Sequence, residues 1–511
     1  MNNFAFTLDY HADRRPRKVV LTHGERRVTN EELLSNVNAI ASALRGLGLG
    51  RGDVVGLLLH NRVEFIELVY AINRLGAVFL PLNYRLAPAE WQFILGHAEV
   101  KALFSELEFT VPVDAVARHL PHLKHRIVVD GPATGPWLSY AQMAASGRGA
   151  VVEAVDVDGA DLQRLMYTSG TTSRPKGVRI THHNVMYKNL GMMVQFGWTD
   201  ADVTAVAGPL YHVGALDMGG ITTLHAGGSL VMQSKFAADP LIDLIVEHRP
   251  TNIWLAPAMV NALLQVERLA TADLSSIRLI MSGGEKMPEA RLKQVLEVFP
   301  GVWFADAYGL TETVSSDTFV TPEHVRDKLG SVGRPVPHMR VRVVDDDGTD
   351  APPGTIGEIV LRGPKVFGGY WRDPEATATA IRDGWFHTGD MGHLDTENFL
   401  YIDDRKKDMI VSGGENIATP EVERVLYEHP DILEAAVIGM PHSLWGEVPH
   451  AFVVLRAGSA ATAGAIEEFC RAHLAKFKVP ARIDLVDELP RTPTGKVLKR
   501  TLREYQQQAT K

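Results

Sequence analysis

The chain has 511 residues, 45% hydrophobic and 22% charged, and its 61 acidic against 52 basic side chains leave a net charge of −9. Such a composition excludes a disordered tail and indicates two to four compact units at about 150 residues each, while the acidic balance argues against nucleic-acid binding through phosphate neutralisation. A single cysteine, Cys470, excludes an intrachain disulfide and fits a reducing compartment.

No apolar run approaches the roughly 18 residues of a membrane span. The opening stretch to Pro16 carries Asn2, Asn3 and Asp9 without an apolar core of signal-peptide length, so a cytoplasmic protein is expected. Thr29-Asn30-Glu31-Glu32 reads as the start of a helix that runs to Leu47. The glycines at 46, 48, 50 and 52 follow that helix and never complete G-x-G-x-x-G, so they read as a helix-ending turn and not as a dinucleotide loop. Strand Val54 to Leu59, helix Val63 to Leu75 and strand Ala77 to Leu82 come next. The same β-α-β alternation recurs at 228–257 and 277–306, which predicts largely parallel sheets covered by helices.

From 338 to 402 the texture changes to short strands, among them Arg340 to Val344 and Glu358 to Arg362, separated by Asp-Asp-Gly and Pro-Pro-Gly turns, as in a small antiparallel unit. The polar knot Asp403-Asp404-Arg405-Lys406-Lys407-Asp408 is read as a hinge. A fresh αβ pattern beyond it makes a domain of about 100 residues. The expected division is a large domain at 1–403, a hinge at 404–407 and a small domain at 408–511.

The segment from Tyr167 to Val178 (YTSGTTSRPKGV) sets four hydroxyl side chains between Thr168 and Thr172 around Gly170, with Lys176 following. Hydroxyls and exposed backbone N–H groups can wrap a polyphosphate, and the lysine adds a point charge. The G-x-x-x-x-G-K-[ST] spacing of the Walker loop is absent. Adjacent His182 and His183 are not spaced as a metal pair on one helix face, and there is no H-E-x-x-H, so no zinc site is expected.

The Tyr167 to Val178 segment resembles the phosphate loop of the adenylate-forming superfamily, which includes acyl- and aryl-CoA synthetases, firefly luciferase and peptide-synthetase adenylation domains. Four further strings follow in family order: Tyr308-Gly309-Leu310-Thr311-Glu312-Thr313; Trp385 to Asp390; Asp404 to Asp408 with Ser412 to Asn416; and Pro490 to Lys496. The implied fold is α/β: a large N-terminal domain of αβ sheet subdomains plus a small β-barrel-like unit, and a smaller mobile α+β C-terminal domain. The implied activity is AMP-forming activation of a carboxylic acid by ATP with Mg²⁺, followed by transfer of the acyl group to CoA. The same large domain would serve an enzyme that passes its adenylate to a carrier-protein pantetheine, an amine or a nitrite-dependent diazotisation. A non-catalytic sensor would have no need of an adenylation lysine.

The resemblance assigns roles residue by residue. Thr168, Ser169, Gly170, Thr171, Thr172 and Lys176 would cradle the β- and γ-phosphates. Glu312 would help bind Mg²⁺, and Thr311 would face the α-phosphate or carboxylate. Gly283, Gly284, Glu285, Asp306, Ala307 and Tyr308 would line the adenine slot; Asp390 would accept from the ribose hydroxyls and Arg405 would bind ribose or phosphate. Lys496, in a stretch from Arg491 to Arg503 with five basic and no acidic residues, would reach the reacting carboxylate and α-phosphate. Gly413, Gly414 and Trp445 would admit the pantetheine arm of CoA. His212 matches a position beside the acyl pocket, where a structural histidine is the competing reading. Ser173 stands where many relatives have glycine.

The pocket stretches Tyr211 to Met218, Ser282 to Met287 and Trp303 to Tyr308 mix apolar residues with Asp217, Glu285, Lys286 and Asp306. That mixture leans towards a short, functionalised or aromatic acid over a long fatty acid. The expected partners are the acid, ATP and CoA, with no nucleic acid and no membrane span, and a homodimer stays open.

Overall fold

The computed structural model describes residues 2–509 apart from 169–174, 286, 288, 406–407, 413–414, 443–444 and 493–494. Local chemistry specifies the first long helix, Asn30–Gly46. The Thr29 hydroxyl accepts from the Glu32 N–H at 3.3 Å while the Glu32 carboxylate accepts from the Thr29 N–H at 2.8 Å, a reciprocal capping box. Past its end, Gly48 and Gly52 take left-handed φ of 79° and 80°, which turns the chain into strand Val54–Leu58 without the Cβ penalty another residue would meet. The helix-ending turn expected from the glycine run is therefore what forms.

Seven strands make the first sheet, in the order Trp137–Ser139, His125–Val128, Ala102–Ser105, Val54–Leu58, Val78–Pro81, Leu162–Thr168 and Lys176–Thr181. All neighbours are parallel until the last pair, an antiparallel hairpin. The second sheet has a parallel centre: Val19–His23, Ser229–Met232, Val203–Val206, Asn252–Leu255, Leu279–Gly283 and Trp303–Tyr308. Strand Ser331–Pro335 pairs with Thr318–Phe319 on one side and Leu400–Arg405 on the other. Through it the antiparallel strands Arg340–Val344, Gly357–Arg362 and Trp385–Leu394 are continuous with the second sheet.

Helix Val63–Arg74 is buried at every position except Glu64, as befits a helix hydrophobic nearly all round. Phe65 on this helix and Phe79 and Phe104 on the first sheet share one core with Leu21, Met281 and Phe319 of the second. The two sheets thus pack as one body, and the C-terminal ends of Leu279–Gly283 and Trp303–Tyr308 open beside the first sheet's hairpin.

The small domain has its own five-stranded sheet, built from Ile410–Ser412, Glu415–Ile417, Ile432–His442, Gly446–Leu455 and Arg482–Leu485, with helices Thr419–Glu428 and Ala463–His473. Its separate core includes Val422, Val437, Val453, Ile466 and Cys470. Burial pushes the Cys470 thiol up to about 11, so it stays protonated and unreactive. No helix among the described residues is long and apolar enough to cross a membrane.

Enclosed histidines, His182 and His225 among them, make the fold acid-sensitive. Burial pushes His182 and His225 each down to about 4, whereas in the unfolded chain they titrate near 6.5. Below pH ~6.5 the unfolded state therefore binds protons that the folded state refuses, and stability falls as pH drops from ~6.5 to ~4, by at most ~1.4 kcal/mol per pH unit for each proton. Thermal melts between pH 7 and pH 4.5 should show this decline, and His182→Gln should remove part of it; a melting temperature level across that range would contradict the assignment.

Candidate active site

Three parts of the large domain converge beside one loop of the small domain. The first is the end of strand Trp303–Tyr308. The Tyr308 hydroxyl donates to Asp390 Oδ2 at 2.8 Å, and Arg405 Nε lies 3.2 Å from Asp390 Oδ1. Asp390 and Arg405 face each other directly across the pair Trp385–Leu394 and Leu400–Arg405. A carboxylate held this way keeps acceptor capacity for neighbouring hydroxyls.

The second part is the turn after Tyr308. Glu312 is 8% exposed and accepts from the Tyr370 hydroxyl at 2.9 Å, while the Lys176 ammonium stands 4.9 Å over the Tyr370 ring. Burial raises the Glu312 carboxyl above its usual range, and its hydrogen bonds, including that from Tyr370, pull it back. A buried oxygen donor short of countercharge fits a hard divalent cation. Thr311 opens the same turn.

The third part is the glycine corner after strand Leu279–Gly283. A Cβ on Gly283 would sit 2.7 Å from the Ala307 carbonyl oxygen, and Gly284 takes φ 97°. Neither position accepts a side chain, and the exposed Gly284 lies at the strand ends where open α/β sheets bind ligands.

The small domain supplies Lys496 to this corner, with Cε 3.7 Å from where a Gly284 Cβ would be. Its loop is held at both ends. Arg491 donates to the Gly495 carbonyl at 2.6 Å and to Glu434 at 2.7 Å; the Val497 N–H donates to Glu285 Oε1 at 2.8 Å. Glu285 thus contributes its carboxylate to the Lys496 loop. Enclosure pushes the Lys496 ammonium below its usual range and Arg405 adds to that, while Glu285, Asp390 and Glu312 oppose it. One cation thus lies within electrostatic reach of three carboxylates and of Arg405, a cluster that can take an anion.

His212 stacks on Trp254 with ring centroids 5.7 Å apart, and its Nδ1 accepts from the Gly214 N–H at 3.1 Å. Burial, aided by the charge of Lys496, pushes it down to about 3, so it is neutral with its proton on Nε2. Gly208 and Gly214 press against the Trp254 indole so closely that a Cβ on either would collide with it. Asp217, read in the sequence as a charge near the pocket, is fully buried in an ion pair with Arg164 at 2.5 Å. Asp306 is buried, and its Oδ1 accepts from the Ala307 N–H at 3.1 Å.

The structure therefore brings together Lys176, Gly283, Gly284, Glu285, Ala307, Tyr308, Glu312, Asp390, Arg405, His212 and Lys496, with Thr168 ending the strand of the hairpin whose other strand Lys176 begins. Trp445 stands elsewhere, 51% exposed at the turn between Ile432–His442 and Gly446–Leu455. Ser169, Gly170, Thr171, Thr172, Ser173, Lys286, Lys407, Gly413 and Gly414 lie outside the described residues. Tyr370 and Trp254 were not singled out from the sequence; Gly368-Gly369-Tyr370-Trp371 carried a turn signal for the first, and nothing marked the second.

Comparison with known proteins places the chain among similar sequences and structures. The profile of the "AMP-binding enzyme" family matches residues 8–371, and that of the "AMP-binding enzyme C-terminal domain" matches 421–496. Indoleacetate–CoA ligase of Aromatoleum aromaticum is 38% identical over 497 residues, 97% of either chain. A fatty acid–[acyl-carrier-protein] ligase, ScoC of Streptomyces coeruleorubidus, is 34% identical over 98% of this chain and 95% of its own. The ATP-bound crystal structure of MatB from Rhodopseudomonas palustris superimposes with a TM-score of 0.92 at 32% identity, covering 100% of both chains.

Proposed function

The chain belongs to the AMP-binding enzyme family and is an adenylate-forming ligase, and on that premise we propose that it is an acid–CoA ligase. Lys496 seated against Gly284, within electrostatic reach of Asp390, Glu312 and Glu285, supports adenylation, and similarity to indoleacetate–CoA ligase supports CoA as the acceptor.

A carboxylate is a poor acyl donor, because its leaving group would be an oxide. In the first step a carboxylate oxygen attacks the α-phosphorus of ATP, the bond from that phosphorus to the bridging α–β oxygen breaks, and pyrophosphate leaves. Attacking and attacked groups are both anionic, so the chain's task is to position them and neutralise charge. Lys496 sets its ammonium between them. Asp390 accepts from the ribose hydroxyls with Tyr308 and Arg405 fixing its oxygens, the Gly283–Gly284 backbone lies along the base, and Lys176 with Thr168 faces the departing phosphates. Glu312 would hold Mg²⁺, which when bound supplies positive charge to the phosphate oxygens. In the second step the CoA sulfur attacks the acyl carbon, the carbon–oxygen bond to AMP breaks and the thiol proton is lost to solvent.

For the acid we propose a planar, aromatic or arylalkanoic carboxylate. The stacked His212–Trp254 pair beside Lys496 supports a flat acyl group, as does similarity to a ligase named for indoleacetate. A second reading, transfer to a carrier-protein pantetheine, is favoured by the similarity to ScoC. One experiment separates them: pyrophosphate and AMP release over a panel of aromatic and aliphatic acids, with CoA, with pantetheinylated carrier protein or with neither. Turnover with CoA on an aryl acid is expected. Turnover only with the carrier protein would overturn the CoA assignment, and preference for long-chain acids would overturn the substrate class.

A further inference from the structure

The turn that carries Thr311 and Glu312 continues into a stretch of strained backbone. Val314, Ser315 and Ser316 take φ of 55°, 59° and 63° in succession. None is glycine, and a β-branched valine in this region is a genuine outlier. Strain of this kind persists only where its surroundings over-determine it, and it gathers at functional sites.

What holds it is a cation from elsewhere in the chain. Lys365, 3% exposed, donates to the Thr313 carbonyl at 3.1 Å, to the Ser315 carbonyl, and to Asp317 Oδ1 at 2.6 Å. Asp317 is fully buried; it accepts from the Thr313 hydroxyl, and its N–H donates to the Tyr308 carbonyl at 2.7 Å. Two residues beyond Lys365, the Phe367 N–H donates to the Glu312 carbonyl at 2.7 Å. Gly309 closes the loop, since a Cβ there would strike the backbone of Ser315 and Ser316. Both ends of the segment that bears Tyr308, Thr311 and Glu312 are therefore tied to one buried ion pair.

A pair kept only for stability would do as well as two apolar groups of the same volume, because burying charge is costly. Here the ammonium serves two carbonyls that a left-handed turn leaves inward, a task no apolar side chain performs.

We propose that Lys365, with Asp317, is a positioning residue for adenylation: it holds the left-handed turn that aims the Glu312 carboxylate at the nucleotide phosphates. This deepens the adenylation reading and rests on it. Both side chains are taken up by the turn and by each other.

Lys365→Met tests it, together with Lys365→Met/Asp317→Asn, which leaves no unpaired charge and keeps the enzyme assayable should the single variant not fold. Three quantities are compared with wild type: kcat for acid-dependent pyrophosphate release, affinity for ATP with Mg²⁺, and affinity for AMP without metal, which uses Asp390 and Tyr308 but not Glu312. The expected result is a kcat at least 20-fold lower and ATP affinity five- to tenfold weaker, with AMP affinity within threefold. An unchanged kcat, or ATP and AMP affinities falling together with melting temperature, would overturn the proposal. If wild type releases no pyrophosphate with any acid, the functional reading fails instead, and the comparison of ATP with AMP affinity still decides the clamp.

Discussion

Lys496→Ala should lower acid-dependent pyrophosphate release about 10²- to 10³-fold, the loss expected when one preorganised charge is removed from a transition state. The size of the loss follows from where the lysine stands. Its ammonium is held by enclosure and by Arg405 below its usual range, and is sustained by Glu285, Asp390 and Glu312. An ammonium so placed is stabilised further by an anion that arrives beside it, and the pentacoordinate α-phosphorus with its incoming carboxylate carries more charge there than either reactant alone. The loop that presents it is tied to the small domain by Arg491 and to the large one by Glu285. Thioester formation from synthetic acyl-adenylate and CoA breaks no bond to phosphorus, so it should change less than threefold. Equal losses in both steps would mean that Lys496 shapes the site and does not act in the first reaction.

Asp390→Ala should weaken ATP binding about 10- to 100-fold, read by calorimetry. A hydrogen bond to a charged acceptor contributes ~1.5–3 kcal/mol, and the ribose offers two hydroxyls to one carboxylate. Asp390 is held by Tyr308 at 2.8 Å and Arg405 at 3.2 Å, so its removal also leaves a buried phenol without this acceptor. Tyr308→Phe, which keeps the carboxylate, should cost less, about fivefold. ATP affinity unchanged in Asp390→Ala would take this residue out of the nucleotide site.

Elements with strong local signals were legible in the sequence to within a residue or two. Thr29 and Glu32 wrote the start of helix Asn30–Gly46 into four consecutive positions, and the all-apolar Val54 to Leu59 could only be a strand buried on both faces. The phosphate-loop, Tyr308–Glu312, Asp390 and Lys496 strings pointed to the family because their order resembles its motifs, and the roles expected of their residues came from that resemblance. What escaped were partnerships made across the chain. Tyr370 meets Glu312 from 58 positions away, and Lys365 meets Asp317 from 48; no window of sequence contains either pair. Asp217 misled for the same reason: its countercharge, Arg164, lies 53 residues upstream, and without it the carboxylate read as a feature of the pocket. Glu285 was placed by its backbone, yet its side chain is used as well, by a loop more than 200 residues later.

In the first reaction a carboxylate oxygen becomes bonded to the α-phosphorus of ATP. Carrying out one turnover with an acid labelled in both carboxyl oxygens with ¹⁸O, in the presence of CoA, tests this directly by mass spectrometry of the nucleotide product. The account predicts AMP bearing one ¹⁸O, with unlabelled pyrophosphate. Unlabelled AMP, or ADP accompanied by labelled inorganic phosphate, would contradict it.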